Sequence, residues 1–266
     1  SNAAQTPITV LSSYPVPRYP LSTPKIGLYT GGTTEPQNPV FPGTNTPPSN
    51  GVHCTSTAYC EMVFAMAKEL NIPVSMLDPI TSTELAAGQL TTGNYTAFVN
   101  PGSTIAAGAG ATALQTWVNG GGNYVGYNAN GATSLRNAGI TTLNTSATNT
   151  SQFTPHCAHQ TDPTAAGSLT TPGTAYNAAF NTVNPLAWGF DEGGYIYRDS
   201  SGSAVFDGTT LGTATAAISY ENPLTAYGYE CNSTTTGTLP GRPYAVDQPF
   251  GLGHAAVIGS NVFFRG

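Results

Sequence analysis

Gly126-Tyr127-Asn128-Ala129-Asn130-Gly131 closes the apolar run Asn123-Tyr124-Val125-Gly126-Tyr127 and precedes a stretch able to turn helical. A sharp strand-to-helix turn of this kind lifts its central side chain, here Asn128, above the edge of a sheet, which is the geometry of a nucleophile elbow. Working outward from it, the chain alternates between strand and helix patterns. Residues 25–30 (Lys-Ile-Gly-Leu-Tyr-Thr) form a short apolar run that predicts a buried strand. Residues 56–70 predict a helix, because Tyr59, Met62, Val63, Met66, Ala67 and Leu70 recur at three- and four-residue steps. Asn71 and Pro73 stop it. Residues 73–78 predict a second strand, 83–90 a short helix, 95–100 a third strand and 111–119 a helix ended by Gly120-Gly121-Gly122. Such alternation predicts an α/β three-layer sandwich with a mainly parallel central sheet. Ligands of such sheets bind at the carboxyl ends of strands. The loops Asn100-Pro101-Gly102-Ser103 and Asn128-Ala129-Asn130-Gly131 are therefore the places to look.

Beyond the elbow the pattern changes. From Thr141 to about Asn181 the periodicity fades into Thr, Asn, Pro and Gly, and short strands return at 194–198, 216–220 and 226–230. This predicts a β-rich, irregular insertion at about 141–215. The run Gly253-His254-Ala255-Ala256-Val257-Ile258-Gly259 predicts a buried strand returning to the main sheet. Residues 1–24 hold five prolines after position 6 and predict an extended arm or linker. Within it, Ser1-Asn2-Ala3 reads as a cleavage scar. The expected organisation is a 1–24 arm followed by one domain over 25–266.

Only 8% of the 266 residues are charged, with a formal charge of -6, against about 25% charged in ordinary soluble domains. Seven scattered basic residues cannot build a phosphate-binding stripe or a polybasic membrane patch, so nucleic acid is not an expected partner. No apolar run is long enough to predict a membrane span. The polar surface built from Thr, Asn, Ser and Gly, with the even cysteine count, suits a secreted, periplasmic or cell-surface protein. The cysteines are Cys54, Cys60, Cys157 and Cys231. Disulfides Cys54–Cys60 and Cys157–Cys231 are the favoured pairing, with free buried thiols and metal binding as alternatives. His53-Cys54 and His156-Cys157-Ala158-His159 place soft ligands together, but neither has zinc-finger spacing. No metal or cofactor is expected.

Several segments together resemble the class I glutamine amidotransferase-like (DJ-1/PfpI-like) superfamily. They are the strand from Lys25, the strand end Val99-Asn100-Pro101-Gly102, the helix end Trp117-Val118-Asn119-Gly120-Gly121-Gly122, and the elbow at Asn128. Asn184-Pro185-Leu186-Ala187-Trp188-Gly189-Phe190-Asp191, Leu239-Pro240-Gly241-Arg242-Pro243 and the tail from Asp247 to Arg265 resemble amidotransferase-like domains appended to secreted M14 zinc carboxypeptidases. The resemblance implies a flavodoxin-like or amidotransferase-like fold, a cysteine at the elbow, a histidine base near the tail and an oxyanion hole from the Pro-Gly loop. It also implies an upstream peptidase domain as a partner within the same protein.

The chain departs from that pattern where the chemistry lies. Asn128 stands at the nucleophile position and Asn261 at the base position. A carboxamide has neither a basic nitrogen nor an ionisable proton near neutral pH, so it cannot attack a carbonyl. None of the four histidines is followed by Glu at the third position, so the chain lacks a His-x-x-Glu zinc motif. The expectation is a non-catalytic accessory domain of a secreted hydrolase, serving in binding or scaffolding. Its candidate pocket is Gly102, Ser103, Tyr127, Asn128, Ala129 and His254. Two alternatives stand beside it. One is a hydrolase using Asn128, His254, Asp191 and Glu192 in one cleft. The other is a carbohydrate-binding module, which predicts a row of exposed tyrosines drawn from Tyr127, Tyr195, Tyr197, Tyr227 and Tyr229. Against these stand plain structural roles: a core His254, a solvated Asp191-Glu192 turn, and tyrosines that serve as strand formers.

Overall fold

The computed structural model describes residues 23–33, 57–145, 174–198, 203–228 and 239–262. Its first half runs β1 (Ile26–Tyr29), α1 (Thr57–Phe64), β2 (Leu77–Ile80), α2 (Ser82–Ala86), α3 (Gln89–Thr92), β3 (Ala97–Asn100), α4 (Ala109–Asn119), β4 (Asn123–Tyr127) and α5 (Asn128–Asn137). Its second half is strand-rich: β5 (Thr174–Phe180), β6 (Gly193–Arg198), β7 (Thr215–Tyr220), β8 (Ala226–Gly228), β9 (Pro243–Phe250) and β10 (Gly253–Ile258).

All ten strands join one open sheet in the order β2-β1-β3-β4-β10-β9-β7-β5-β6, with β8 beside β7 on β5. The strands β2, β1, β3, β4 and β10 are mutually parallel. From β9 to β6 every pairing is antiparallel. The fold is thus mixed α/β, and its parallel part is half of the sheet rather than most of it. The strand-rich section extends that same sheet across β9.

Alternation of side chains fixes the layers of the parallel half. Tyr29, Phe98, Tyr124 and Val257 face one way and pack under Leu85, Leu90, Leu114, Trp117 and Leu135 of α2 to α5. Their neighbours Leu28, Val99 and Tyr127 face the other way and pack under Tyr59, Met62, Val63 and Met66 of α1 and its continuation. Period-2 alternation buried on both sides is what a parallel sheet clad in helices requires. The antiparallel half has its own core around Tyr176, Phe180, Ile196, Tyr220 and Tyr244.

Local chemistry explains where the elements fall. The helix expected at 83–90 is two helices. Thr81 and Glu84 form a capping box that starts α2, and Gly88 at φ +80 breaks the run before α3. The strand expected at 73–78 starts later, because Val74–Met76 is a 3₁₀ turn and the strand is Leu77–Ile80. Pro79 is tolerated there because β2 is an edge strand, paired among the described residues with β1 alone. Two strands were not expected: β5, whose buried positions alternate Thr174, Tyr176, Ala178, Phe180, and β9, which opens on Pro243. Among the described residues no helix is long and apolar enough to cross a membrane.

Candidate functional site

The carboxyl ends of four adjacent parallel strands meet at one edge of the sheet. Register places Asn100 beside Gly126 and Ile258 beside Tyr127. The residues that follow, Thr30-Gly31-Gly32, Pro101-Gly102-Ser103, Asn128 and Gly259-Ser260-Asn261, are brought together by that register.

Asn128 is the hinge of this edge. It adopts φ +62, in the left-handed region, directly between β4 and α5. Few residues other than glycine accept that conformation, and asparagine is the commonest exception. The elbow expected from sequence is therefore present, with a carboxamide at its tip. Gly131 allows it: a Cβ there would stand 2.8 Å from the Gly126 carbonyl carbon, so helix and strand backbones touch. The Asn128 side chain reaches toward the neighbouring loop, its Nδ2 3.4 Å from where a Cβ on Gly102 would lie. Its Oδ1 is buried and has no hydrogen-bond partner.

The facing loop is built on Asn100, which is fully buried. Its Oδ1 accepts from the backbone N–H groups of Gly102 (3.2 Å) and Ser103 (2.9 Å). Its Nδ2 donates to the Ser103 carbonyl (2.7 Å) and to Tyr124 Oη (3.0 Å). Asn130 Nδ2 donates to the Gly102 carbonyl at 2.6 Å, tying the elbow to the loop. Ser134 Oγ donates to the Asn130 carbonyl and accepts from the Ile105 N–H. Burial pushes the Tyr124 phenol far above its ordinary range, so it stays neutral as a partner for Asn100. An oxyanion hole needs backbone donors aimed at the reacting oxygen. Here the Gly102 and Ser103 donors are both directed at Asn100.

Asn261 belongs to this edge as well. Its Nδ2 donates to Glu61 Oε2 of α1 at 3.2 Å. It therefore holds a carboxylate, where the resemblance implied a histidine base. Ser260 is buried and its Oγ lies 2.8 Å from Ser203 Oγ.

Two expected members of the pocket belong elsewhere. Tyr127 is buried under α1 and does not face the edge. Strand alternation sends its side chain into the sheet face while Asn128, in the turn, projects beyond it. His254 pairs with Asn123 at the amino end of β4, four register steps from Tyr127, or about 13 Å at the rise of a strand. There its Nδ1 meets the buried Asp247 carboxylate at 3.0 Å, and Asn184 Nδ2 donates to the same carboxylate at 3.3 Å. Asp191 and Glu192 are exposed in the turn before β6, at the opposite edge of the sheet from β2. The one-cleft acid–base arrangement of Asn128, His254, Asp191 and Glu192 is thus not formed. Gly102, Ser103 and Ala129 do lie at the elbow edge.

Sequence reasoning passed over Glu61 and Ser134, and took Asn130 only as part of the elbow loop. Glu61 carried no signal, since it falls opposite the apolar face of its helix, where a charged residue is ordinary. Asn130 and Ser134 sit one helical turn apart on α5, a spacing that placed them on one side of the elbow. Of the cysteines only Cys60, part-buried on α1, lies among the described residues; Cys54, Cys157, Cys231 and the expected pairings lie outside them. Among the described residues no cluster of His, Cys, Asp and Glu has the makings of a metal site. An open groove of about 900 Å³ lined by Lys25, Tyr95, Thr96, Trp117 and Asn123 lies at the amino ends of the strands. It is distant from Asn128, and its lysine is engaged by Asp78 at 3.3 Å.

No family model matches this chain, and no curated protein matches it. Among solved structures, it is similar to the exo-β-1,4-mannosidase Op5Man5 from Opitutaceae bacterium strain TAV5, at 10% identity and a TM-score of 0.46, covering 91% of this chain and 32% of that one. A β-galactosidase from Rahnella sp. R3 matches at 13% identity and a TM-score of 0.48, over 90% of this chain and 29% of that one. A putative ThuA-like protein from Parabacteroides merdae ATCC 43184 matches at 13% identity and a TM-score of 0.47, over 89% and 79%. The chain spans about a third of the length of the first two. These findings correct the family resemblance drawn from sequence. No family model supports membership of the DJ-1/PfpI-like group or a tie to M14 carboxypeptidases, and the structures named above are a mannosidase, a β-galactosidase and a ThuA-like protein. Short segments such as Asn-Pro-Gly and Gly-Gly-Gly recur wherever strands end and helices stop, so their order along one chain is a weak family mark.

Proposed function

We propose that this chain is a non-catalytic binding or scaffolding domain of a secreted hydrolase, of amidotransferase-like architecture, with the Asn128 edge as its binding site. The observation that carries this reading is Asn128 itself. It occupies a strand-to-helix elbow at φ +62 with a buried, unpartnered carboxamide oxygen. Such an oxygen costs about 1–3 kcal/mol when left unpaired. A ligand carrying an N–H or O–H donor recovers that energy, whereas a carboxamide supplies no nucleophile. The same reading is supported by the Gly102 and Ser103 amides, which serve Asn100 rather than an oxyanion, and by Asn261, which serves Glu61.

The test has two arms. The chain is incubated with L-glutamine and, separately, with a glutamine-analogue chloroketone. No ammonia release and no adduct on the Asn128 peptide are expected; ammonia release that Asn128→Ala abolishes overturns the non-catalytic half. In the second arm, small amide and polyol donors are titrated while backbone amide resonances are followed by NMR. Shifts at Gly102, Asn128 and Ala129 are expected, and a flat response at all three removes the elbow as a binding site.

A further inference from the structure

The antiparallel half carries a second surface that the elbow does not explain. β5 pairs with β6 on one side and with β8 on the other. Register sets Tyr197 and Tyr227 on either side of Ala175, and Tyr195 beside Asn177. Strand alternation therefore puts Tyr195, Tyr197, Tyr227 and Asn177 on one face. Their partners Tyr176, Ala178, Phe180 and Ile196 on the other face form the core. The tyrosine face is open: Tyr195 is 62% exposed, Tyr227 51% and Tyr197 40%. Large aromatic side chains gathered on an open sheet face mark a recognition surface more often than a packing one.

The patch is held in place before anything binds. The Tyr195 and Tyr227 rings meet edge to face at 4.7 Å, with hydroxyls 3.3 Å apart. Beside them, Asn177 Nδ2 donates to Glu221 Oε2 at 2.6 Å and to the Pro223 carbonyl, while its Oδ1 accepts from the Thr225 N–H. Gly193 leaves the Glu221 carboxylate uncovered, Oε1 lying 3.5 Å from where a Cβ would be. Two tyrosines two residues apart on β6 lie about 7 Å apart along the strand.

We propose that this face binds a neutral oligosaccharide. The occupant follows from the chemistry of the patch. Sugar rings present C–H faces of positive partial charge, which pack on the negative faces of aromatic rings. Their hydroxyls then pair with phenol and carboxylate groups, the polar set offered by Tyr195, Tyr227 and Glu221, while Asn177 holds the Glu221 carboxylate in place. An apolar protein surface removes water from the phenol and carboxylate oxygens without offering them new partners, which is unfavourable. A polyanion meets Glu221 and a chain of net charge -6. Among the described residues no cation extends from this side: Arg198 is buried on the opposite face of β6, and Arg242 is paired with Asp207. The surface is separate from the Asn128 edge and stands or fails independently of it.

The test is affinity electrophoresis of the full chain in native gels containing galactomannan, xylan, mixed-linkage β-glucan or galactan, with calorimetry on oligosaccharides of whichever retards it. Retardation by at least one polymer is expected. Tyr195→Ala and Tyr227→Ala should each weaken binding about tenfold, the effect of losing one aromatic anchor. Tyr195→Phe keeps most of the affinity and Asn128→Ala keeps all of it. Both tyrosines are exposed, so folding is unaffected, and circular dichroism checks this. Absence of retardation by all four polymers overturns the proposal, as does wild-type retardation by the Tyr195→Ala/Tyr227→Ala double variant. Sedimentation showing a dimer that the double variant dissociates also overturns it, since the face then covers a second copy.

Discussion

A Cβ on Gly131 would stand 2.8 Å from the carbonyl carbon of Gly126, so α5 rests backbone on backbone against the strand that launches it. The elbow depends on that contact, because a wider spacing would move the first turn of α5 off the sheet edge. Gly131→Ala should lower stability by about 1–3 kcal/mol through overpacking, partly offset by about 1 kcal/mol of helix propensity. Gly120→Ala is the control: its nearest contacts are at 3.5 Å and its φ is -80. Thermal melts should place Gly131→Ala several degrees below the parent and Gly120→Ala close to it. Coincident melts for the two variants would remove the contact as a determinant of the elbow.

Asn128 combines a left-handed backbone with an unpartnered buried oxygen. Glycine removes both costs, roughly 1–2 kcal/mol for the backbone and 1–3 kcal/mol for the oxygen. It adds about 0.5–1 kcal/mol of chain entropy. Asn128→Gly should therefore be more stable than the parent by at least about 1 kcal/mol. Asn128→Val should be less stable, since a β-branched residue at positive φ is strained. Urea midpoints give the order, expected as Gly, Asn, Val. A valine variant as stable as the parent contradicts the assigned backbone.

The parallel half was legible because its strands are apolar on both faces and its helices carry regular apolar steps. Phe98, Val99, Tyr124 and Val125 announce themselves. The antiparallel half was less so. β5 buries Thr174 and Ala178 where larger residues would have marked a strand, and β9 carries Pro243, Asp247, Gln248 and Pro249. In the sheet those polar groups are matched, Asp247 by His254 and Asn184, Gln248 by Thr213. Such pairings join residues distant along the chain, so no local pattern reports them. The elbow could be read from Gly126, Asn128 and Gly131 alone. Placing His254 beside it could not, because that depends on which end of β10 pairs with which end of β4.

Asn100 is the keystone of the loop facing Asn128, with five hydrogen bonds made by a fully buried side chain. Asn100→Ala leaves the Gly102 and Ser103 N–H groups unpaired and should destabilise the chain by about 3 kcal/mol. The loss should be local. Amide hydrogen exchange is expected to quicken at Ser103, while Ile105, held by Ser134 Oγ at 2.9 Å, stays slow. Equal acceleration at both positions points to global loosening and away from the loop.

Tyr124 and Tyr127 lie in the cores on opposite faces of the sheet, and burial raises both phenols above the ordinary value of 10.0. A raised folded-state value means that the unfolded chain releases its protons first. The stability these groups contribute is therefore whole below pH 10 and is lost as pH climbs past it. The expected slope is up to about 1.4 kcal/mol per pH unit for each buried phenol. Urea midpoints should be flat in this respect from pH 8 to 9.5 and fall steeply above 10. Phenolate absorbance should rise in two stages, with these two rings ionising only as the fold opens. Tyr127→Phe isolates one of them, because its ring packs under α1 away from the Asn100 network. It should reduce the alkaline slope by about one proton's worth. An unchanged slope in Tyr127→Phe would show that this ring ionises within the folded chain, at odds with its burial.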